Sequence, residues 1–125
     1  MSYTKKNLRE VANAAEQMGT PGGFEARFAT GDLGCENTGL ALEKLPPGGR
    51  SPFKHKHENA EEVYVVLSGS GTVSLDGEDV ALGPMDAIRV APPVERWFSA
   101  GDEGLEVLVF GPRHQGDGEI SPIED

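Results

Sequence analysis

The sequence predicts an all-β fold, a small antiparallel β-sandwich or closed β-barrel of about eight short strands. Glycine and proline make up about a fifth of the chain, with 17 Gly and 9 Pro among 125 residues, against roughly 12% in average usage. From Phe24 onward the apolar segments are about five to seven residues long and end at Gly, Pro or Asp. Asp76-Gly77 is a strong signal for a two-residue hairpin. The length is that of one domain.

The first predicted element is a short helix within residues 1–20, the part of the chain in which apolar residues have helical spacing. Asn7 and Glu10 are placed like a capping pair at its start. The apolar positions that follow the spacing are Leu8, Val11, Ala12, Ala15 and Met18. We therefore predict a helix that ends at Gly19.

The remaining elements are strand candidates separated by turn signals. In chain order they are FEARFAT, GLALEKL, EEVYVVL, TVSL, EDVAL, AIRV, RWFSA and LEVLVF. Ser68-Gly69-Ser70-Gly71 separates the third candidate from the fourth, and Asp76-Gly77 separates the fourth from the fifth. Both joins are predicted to be hairpin turns, which makes this part of the chain an antiparallel meander.

The chain divides into a helix or arm over 1–23, a β-barrel domain over 24–112 and an acidic tail over 113–125. The last ten residues, GDGEISPIED, contain four acidic side chains and one proline. Such a composition buries little apolar surface, so the tail is predicted to be mobile.

The strand candidate EEVYVVL is largely apolar on both of its faces. One face carries Glu62, Tyr64 and Val66, and the other carries Val63, Val65 and Leu67. A strand that is apolar on both sides needs a second covering layer, supplied by a neighbouring subunit or by the N-terminal segment. We therefore predict a homodimer.

Charge and cysteine content exclude several classes of partner. The formal net charge is −10, from 21 acidic and 11 basic side chains, whereas nucleic-acid binding needs clustered Lys and Arg. Nucleic acid and anionic membranes are therefore not expected partners. The single cysteine, Cys35, forms no intrachain disulfide, and the N-terminus has no apolar export segment, so we expect a cytoplasmic protein. The run Val63–Leu67 is far shorter than the roughly 20 residues that cross a bilayer.

The residues with metal-ligand chemistry lie between Gly49 and Gly69. His55 and His57 are two residues apart, so in an extended segment both imidazoles leave the same face. Glu62 follows at the start of the next strand candidate. Two imidazoles and one carboxylate that converge inside a barrel suit Fe(II) or Mn(II), with Zn and Ni as alternatives, and leave coordination positions open.

This segment resembles the first motif of the cupin superfamily, in which Gly, His-x-His, Glu and Gly recur at fixed spacing. All five fixed positions match, as Gly49, His55, His57, Glu62 and Gly69. The resemblance covers roughly residues 35–111. It implies an antiparallel barrel of the jelly-roll type, usually dimeric, with a divalent transition metal at its centre. The chemistry of the superfamily is diverse, so the resemblance does not fix a reaction.

The second motif of the same superfamily is not matched. Its fixed positions fall on Met85, Ala91, Pro93, Arg96 and Ala100. Arg96 stands where a third metal-binding histidine is expected, and a protonated guanidinium has no lone pair for a metal. The only other imidazole in the chain is that of His114, beyond the last strand candidate.

Two interpretations of Arg96 stay open. In the first, His55, His57 and Glu62 hold a metal while Arg96 faces the open side and pairs with a carboxylate of the ligand. In the second, Arg96 pairs internally with Glu62, the histidines bond to the backbone, and no metal binds.

Aromatic side chains are candidates for the rest of the ligand site. By strand alternation Tyr64, Phe53 and Phe98 would line the cavity, either as ligand contacts or as ordinary core. Two functions follow for a central pocket that holds a small organic molecule. One is a metal-dependent enzyme of the oxygenase or isomerase type, and the other is a metal-free binding or sensing protein. A barrel filled by its own side chains is the structural alternative.

Overall fold

The computed structural model describes residues 2–17, 22–113 and 116–123. The elements in chain order are β1 (Glu25–Phe28), α1 (Thr30–Leu33), β2 (Thr38–Leu45), β3 (Lys54–His57), β4 (Glu62–Leu75), β5 (Glu78–Leu82), β6 (Ala87–Val90), β7 (Arg96–Pro112) and β8 (Gly118–Ser121). All pairs between these strands are antiparallel. The predicted all-β class is therefore confirmed.

The strands form one eight-stranded sheet that curls into a barrel-like fold. Along the main path the order is β1-β2-β7-β3-β8, and β4 pairs with β5, β6 and β7. The inward side chains of the two longest strands form the centre of the core, where Tyr64, Val66, Val73, Phe98 and Val107 are each at most 2% exposed. The curled sheet therefore has a packed inner face from which the functional side chains project.

The predicted turn at Ser68-Gly69-Ser70-Gly71 is wrong, because β4 runs through it without reversing. β7 likewise joins the candidates RWFSA and LEVLVF in one strand. Two register shifts of β4 against β7 occur here, between Val66 and Ser68 and between Gly69 and Gly71. A Cβ on either glycine would lie 2.0 Å from a carbonyl oxygen of β7. These glycines allow two bent strands to approach closely, which is a different use of glycine from a turn.

The predicted hairpin at Asp76-Gly77 is confirmed. Leu75 pairs with Glu78 across the two-residue loop. Asp76 and Gly77 both have positive φ, at 51° and 89°. Such angles are those of the hairpin turn that matches the natural twist of two strands, and they favour an Asp-Gly sequence.

The N-terminal segment is an arm with two short 3-10 turns, Leu8–Glu10 and Ala14–Glu16, in place of one continuous helix. The side chain of Asn13 accepts hydrogen bonds from the backbone N–H groups of Ala15 and of Ala26 on β1. Asn13 itself is extended, so an interaction with β1 replaces the hydrogen bonds that would continue a helix. Met18 and Gly19, which complete the predicted helix, lie outside the described residues.

The prediction of a mobile acidic tail is wrong for residues 117–121. Strand β8 pairs with all four residues of β3, from Lys54 with Ser121 to His57 with Gly118. Asp117 is only 8% exposed. The acidic composition of residues 116–125 indicates disorder, but strand pairing with β3 satisfies backbone hydrogen bonds of residues 118–121. His114 lies outside the described residues.

The outer face of β4 is less buried than its inner face. Val63 and Val65 are half-buried, and Leu67 is 40% exposed. The homodimer and the cytoplasmic location stay predictions of the sequence. Within residues 2–17, 22–113 and 116–123, no helix has the length and apolar character to span a bilayer.

Candidate metal centre

The two histidines of the first motif lie on β3 and project to the same side of it. Their rings are 5.3 Å apart, centre to centre, and perpendicular. The backbone is held on both sides, since His55 pairs with Arg96 of β7 and with Ile120 of β8. The N–H of His57 donates to the carbonyl of Pro92 at 2.8 Å. Strand pairing and one hydrogen bond to the turn between β6 and β7 therefore set the positions of both imidazoles.

Glu62 completes the cluster from the first position of β4. Its Oε1 lies 3.3 Å from Nε2 of His55 and 3.2 Å from Nε2 of His57. One donor atom from each of the three side chains lies within 4.8 Å of the other two. The structure therefore brings together the three residues that the sequence analysis assigned to a metal.

The surroundings of Glu62 favour its ionised form. Burial alone would raise its pKa, but contacts with both imidazoles and a hydrogen bond from the Tyr64 hydroxyl outweigh burial. The pKa of Glu62 is therefore held well below its usual range. A carboxylate that stays ionised at neutral pH is the form that a cation requires.

Arg96 lies behind this cluster. It is completely buried, and its Nη1 is 3.8 Å from Oε1 of Glu62. Its Nη2 donates to the carbonyl of Ala91 at 3.0 Å, while Nε and Nη1 have no hydrogen-bond partner among the described residues. Arg96 does not line the cavity, which differs from the expectation that it faces the open side. The ion pair with Glu62 matches the second interpretation, whereas the histidines contact Glu62 and not the backbone.

A cavity of about 560 Å³ opens beside the three-residue cluster. Its walls carry His55, His57 and Glu62 together with apolar side chains, among them Phe24, Ala26, Phe28, Phe53, Phe98 and Val109. Of the four predicted ligand contacts, Phe53 and Phe98 line the cavity. Tyr64 is 1% exposed and packs edge-on against Phe98, with ring centres 5.0 Å apart. Tyr64 therefore contacts Glu62 and supports the wall, as Arg96 does.

The family is settled by a match to the model of the cupin domain over residues 41–111. The chain belongs to the cupin superfamily. The match includes both histidines and the glutamate of the first motif. It also includes the region around Arg96, where the second motif has changed.

Relatives of this cupin have varied names. Uncharacterized protein MJ1618 of Methanocaldococcus jannaschii is 36% identical over 81 residues, which are 62% of this chain and 65% of the relative. Auxin-binding protein 4 of Zea mays is 29% identical over 116 residues, which are 82% of this chain and 56% of the relative. The cupin therefore spans less than two thirds of either relative.

Solved structures show the same fold. A cupin protein from Bacteroides fragilis is 26% identical, has a TM-score of 0.74, and the alignment covers 93% of this chain and 88% of that one. Other structures with a TM-score of 0.75 are a polyketide cyclase, a sugar phosphate isomerase and an oxalate oxidase, at 24%, 21% and 15% identity. Identities in this range show the fold alone, and one fold here carries several kinds of reaction.

Sequence analysis missed Glu43, whose side chain lines the cavity of this cupin from β2. Among the described residues its carboxyl group has no hydrogen-bond or ion-pair partner. Burial, together with the nearby charge of Glu62, raises the pKa of Glu43 to about 7. A signal was present, because alternation in GLALEKL puts this acid on the same face as Ala41 and Leu45.

The second residue that was missed is Asp117. Its Oδ2 lies 3.5 Å from Nδ1 of His57. The same carboxylate accepts hydrogen bonds from the backbone N–H groups of Asn59 at 2.9 Å and Ala60 at 2.8 Å. The acidic composition of the surrounding segment concealed this role, because it predicted disorder.

Proposed function

We propose that this cupin binds a divalent transition metal through His55, His57 and Glu62 and holds a small organic ligand in the adjoining cavity. The observation that carries the proposal is the convergence of these three donor groups within 4.8 Å on the cavity wall. Two neutral imidazoles and one carboxylate are a donor set that suits Fe, Mn, Zn or Ni.

The surroundings of His57 fit a metal. Both ring nitrogens are buried and have no hydrogen-bond partner among the described residues. Buried polar atoms normally have a partner, so an Nε2 that is left without one on the cavity wall needs an explanation. A metal ion at Nε2 supplies it, because imidazole nitrogen is a common metal ligand.

The ligand site is largely apolar, with polar groups at a few places. Phe53 and Phe98 give it flat surfaces for an unsaturated or aromatic molecule. Glu43 supplies a carboxyl group that exchanges a proton near neutral pH. The lining also contains Arg113, whose Nη1 donates to the carbonyl of Cys35. The proposed ligand is therefore a small, mainly apolar compound with at least one hydrogen-bonding group.

We favour a metal-dependent enzyme of the oxygenase or isomerase type. When bound, a divalent ion supplies Lewis acidity or activates dioxygen. The residues of the chain then have separate tasks: the aromatic walls exclude water, Glu62 stays ionised, and Glu43 takes up or releases a proton on the ligand side.

A metal-free binding or sensing protein is the second candidate. The contact of Arg96 with Glu62 favours it, because a guanidinium 3.8 Å away already compensates part of the carboxylate charge. In this form the cavity binds its ligand and the chain performs no metal chemistry.

Metal analysis of protein prepared without a His tag separates the two candidates. After supplementation with Fe(II), Mn(II), Zn(II) or Ni(II), we expect close to one equivalent of metal in the wild type. The double variant His55→Ala/His57→Ala should hold less than a tenth. The control is Glu61→Gln, which changes the exposed acid next to Glu62 and should retain the metal.

Thermal denaturation gives an independent readout. A metal at 100 times its dissociation constant should stabilise the wild type by about 2.7 kcal/mol and leave the double variant unchanged. Less than a tenth of an equivalent of every metal in the wild type, with no thermal shift, would reject the metal and favour the second candidate.

A further inference from the structure

We infer that Asp117 is the positioning residue of the metal site, which fixes the ring of His57 so that Nε2 faces Glu62 and the cavity. The inference rests on the proposed function for the identity of the bound cation. It concerns a segment, the end of the chain, that neither the first motif nor the cupin domain match includes.

The contact lies on the side of the imidazole that faces away from Glu62. Nδ1 of His57 is 3.5 Å from Oδ2 of Asp117, and Nε2 is 3.2 Å from Oε1 of Glu62. The Asp117 side chain is 4% exposed and that of His57 is 18% exposed. The ring of His57 therefore lies between two carboxylates, that of Asp117 on the Nδ1 side and that of Glu62 on the Nε2 side.

Asp117 is itself held in place by the backbone around it. Its carboxylate accepts from the N–H groups of Asn59 and Ala60, and its carbonyl accepts from the N–H of Glu58. These three residues belong to the link 58–61 between β3 and β4, the strands that carry the metal ligands. One side chain thus fixes both the ring of His57 and the loop that leads to Glu62.

The packing of the next residue supports this position. Gly118 pairs with His57 across β3 and β8. A Cβ at Gly118 would be 3.5 Å from Cε1 of His57, so the strand passes close to the edge of the ring.

The chemical effect follows from the two nitrogens of imidazole. A neutral ring carries one proton, and the negative charge of a carboxylate next to Nδ1 favours the proton on that nitrogen. Nε2 then presents its lone pair to the cavity. In metalloproteins such a carboxylate behind a histidine ligand orients the ring and raises its basicity, and its loss lowers metal affinity about 10–100-fold.

The first test is the tautomer of His57 in the metal-free wild type. Two-bond proton–nitrogen correlation NMR at pH 8 distinguishes a proton on Nδ1 from a proton on Nε2. The Oε1 atom of Glu62 that faces Nε2 already accepts a hydrogen bond from the Tyr64 hydroxyl, so we expect the Nδ1–H form. A ring that is mainly in the Nε2–H form would overturn the inference without the need for any variant.

The second test compares Asp117→Asn with Glu119→Gln. Glu119 lies on the same strand, is exposed and forms an ion pair with Lys56 at 3.8 Å, so its substitution controls for the loss of an acid from β8. By calorimetric titration with Mn(II) and Zn(II) we expect Asp117→Asn to bind about 10–100-fold more weakly, and Glu119→Gln to bind like the wild type. The amide should also shift the His57 tautomer away from Nδ1–H.

The outcomes separate this inference from the proposed function. A wild type that binds no metal rejects the proposed function, while the tautomer still decides whether Asp117 fixes His57. Equal affinities and an unchanged tautomer in Asp117→Asn would overturn the inference and leave the metal site in place. If Asp117→Asn does not fold, the wild-type tautomer is decisive.

Discussion

Glu62 and Glu43 line the same cavity, but their surroundings are opposite in character. Glu62 is surrounded by two imidazoles, the Tyr64 hydroxyl and the Arg96 guanidinium, which keep it ionised. Glu43 has no ion pair among the described residues, and burial together with the charge of Glu62 raises its pKa to about 7. The same type of side chain is therefore a fixed negative charge at Glu62 and a proton-exchanging group at Glu43.

The two glutamates mark where this cupin differs from its superfamily pattern. The place of a third histidine is occupied by Arg96, which cannot bind a cation but compensates Glu62 from behind. Loss of the second motif has therefore not left the charge of Glu62 unpaired. The cavity acid without an ion-pair partner among the described residues is Glu43, on β2.

The largest expected effect comes from removing Glu62. Glu62→Ala leaves Arg96 buried without its counter-charge, which should lower the free energy of unfolding by about 3–5 kcal/mol and abolish metal binding. Glu43→Ala is the matched change in the same cavity and should not destabilise the protein at pH 8. Urea denaturation at pH 8 measures both. An equal loss of stability in the two variants would contradict the contrast between the two glutamates.

Titration of Glu43 should give the next largest effect. Its folded-state pKa of about 7 exceeds the ordinary value of 4.5, so the folded state is favoured by protonation and loses stability as pH rises from about 4.5 to about 7. Glu43→Gln removes this dependence and should be more stable than the wild type by up to about 3 kcal/mol at pH 8.

Denaturation curves of the wild type and Glu43→Gln at pH 4 and pH 8 provide the measurement. At pH 4 the wild type and Glu43→Gln should have equal free energies of unfolding, because a protonated glutamic acid and a glutamine are both uncharged. Glu78→Gln, at an exposed hairpin position, controls for the substitution itself. A stability difference that is the same at both pH values would show that Glu43 does not titrate in this range.

The smallest expected effect comes from restoring the missing ligand. Arg96→His places an imidazole near Glu62 and should raise metal affinity about tenfold, which corresponds to about 1.4 kcal/mol. Arg96→Gln removes the charge without adding an imidazole and serves as the control. Calorimetric titration with Zn(II) measures the change. An unchanged affinity in Arg96→His would show that an imidazole at position 96, behind Glu62, does not reach the ion.

Much of the fold and the centre of the site could be predicted from the sequence. Alternation placed Tyr64 and Val66 on the inner face of β4, and Asp-Gly located the hairpin between β4 and β5. The spacing of the first motif predicted that His55, His57 and Glu62 lie close together, as they do in the structure. These features depend on local periodicity or on a motif with fixed intervals, both of which are visible in one sequence.

Other features depend on contacts between distant segments and could not be predicted. Gly69 and Gly71 are close-approach positions against β7, but in sequence they look like a turn. Asp117 is buried by pairing with β3, whereas the composition around it indicates disorder. Arg96 is buried, donates to the carbonyl of Ala91 and forms an ion pair with Glu62, and no local pattern encodes these contacts.

The hydrogen bonds that join Asp117 to the loop between β3 and β4 have a consequence for folding kinetics. Asn59 and the carboxylate that holds it are 58 positions apart in the chain. Domains dominated by such distant pairings have high contact order and fold in about milliseconds to seconds. Because Asp117 reaches His57 only when β8 pairs with β3, we expect cation capture to follow closure of the barrel and not to nucleate it.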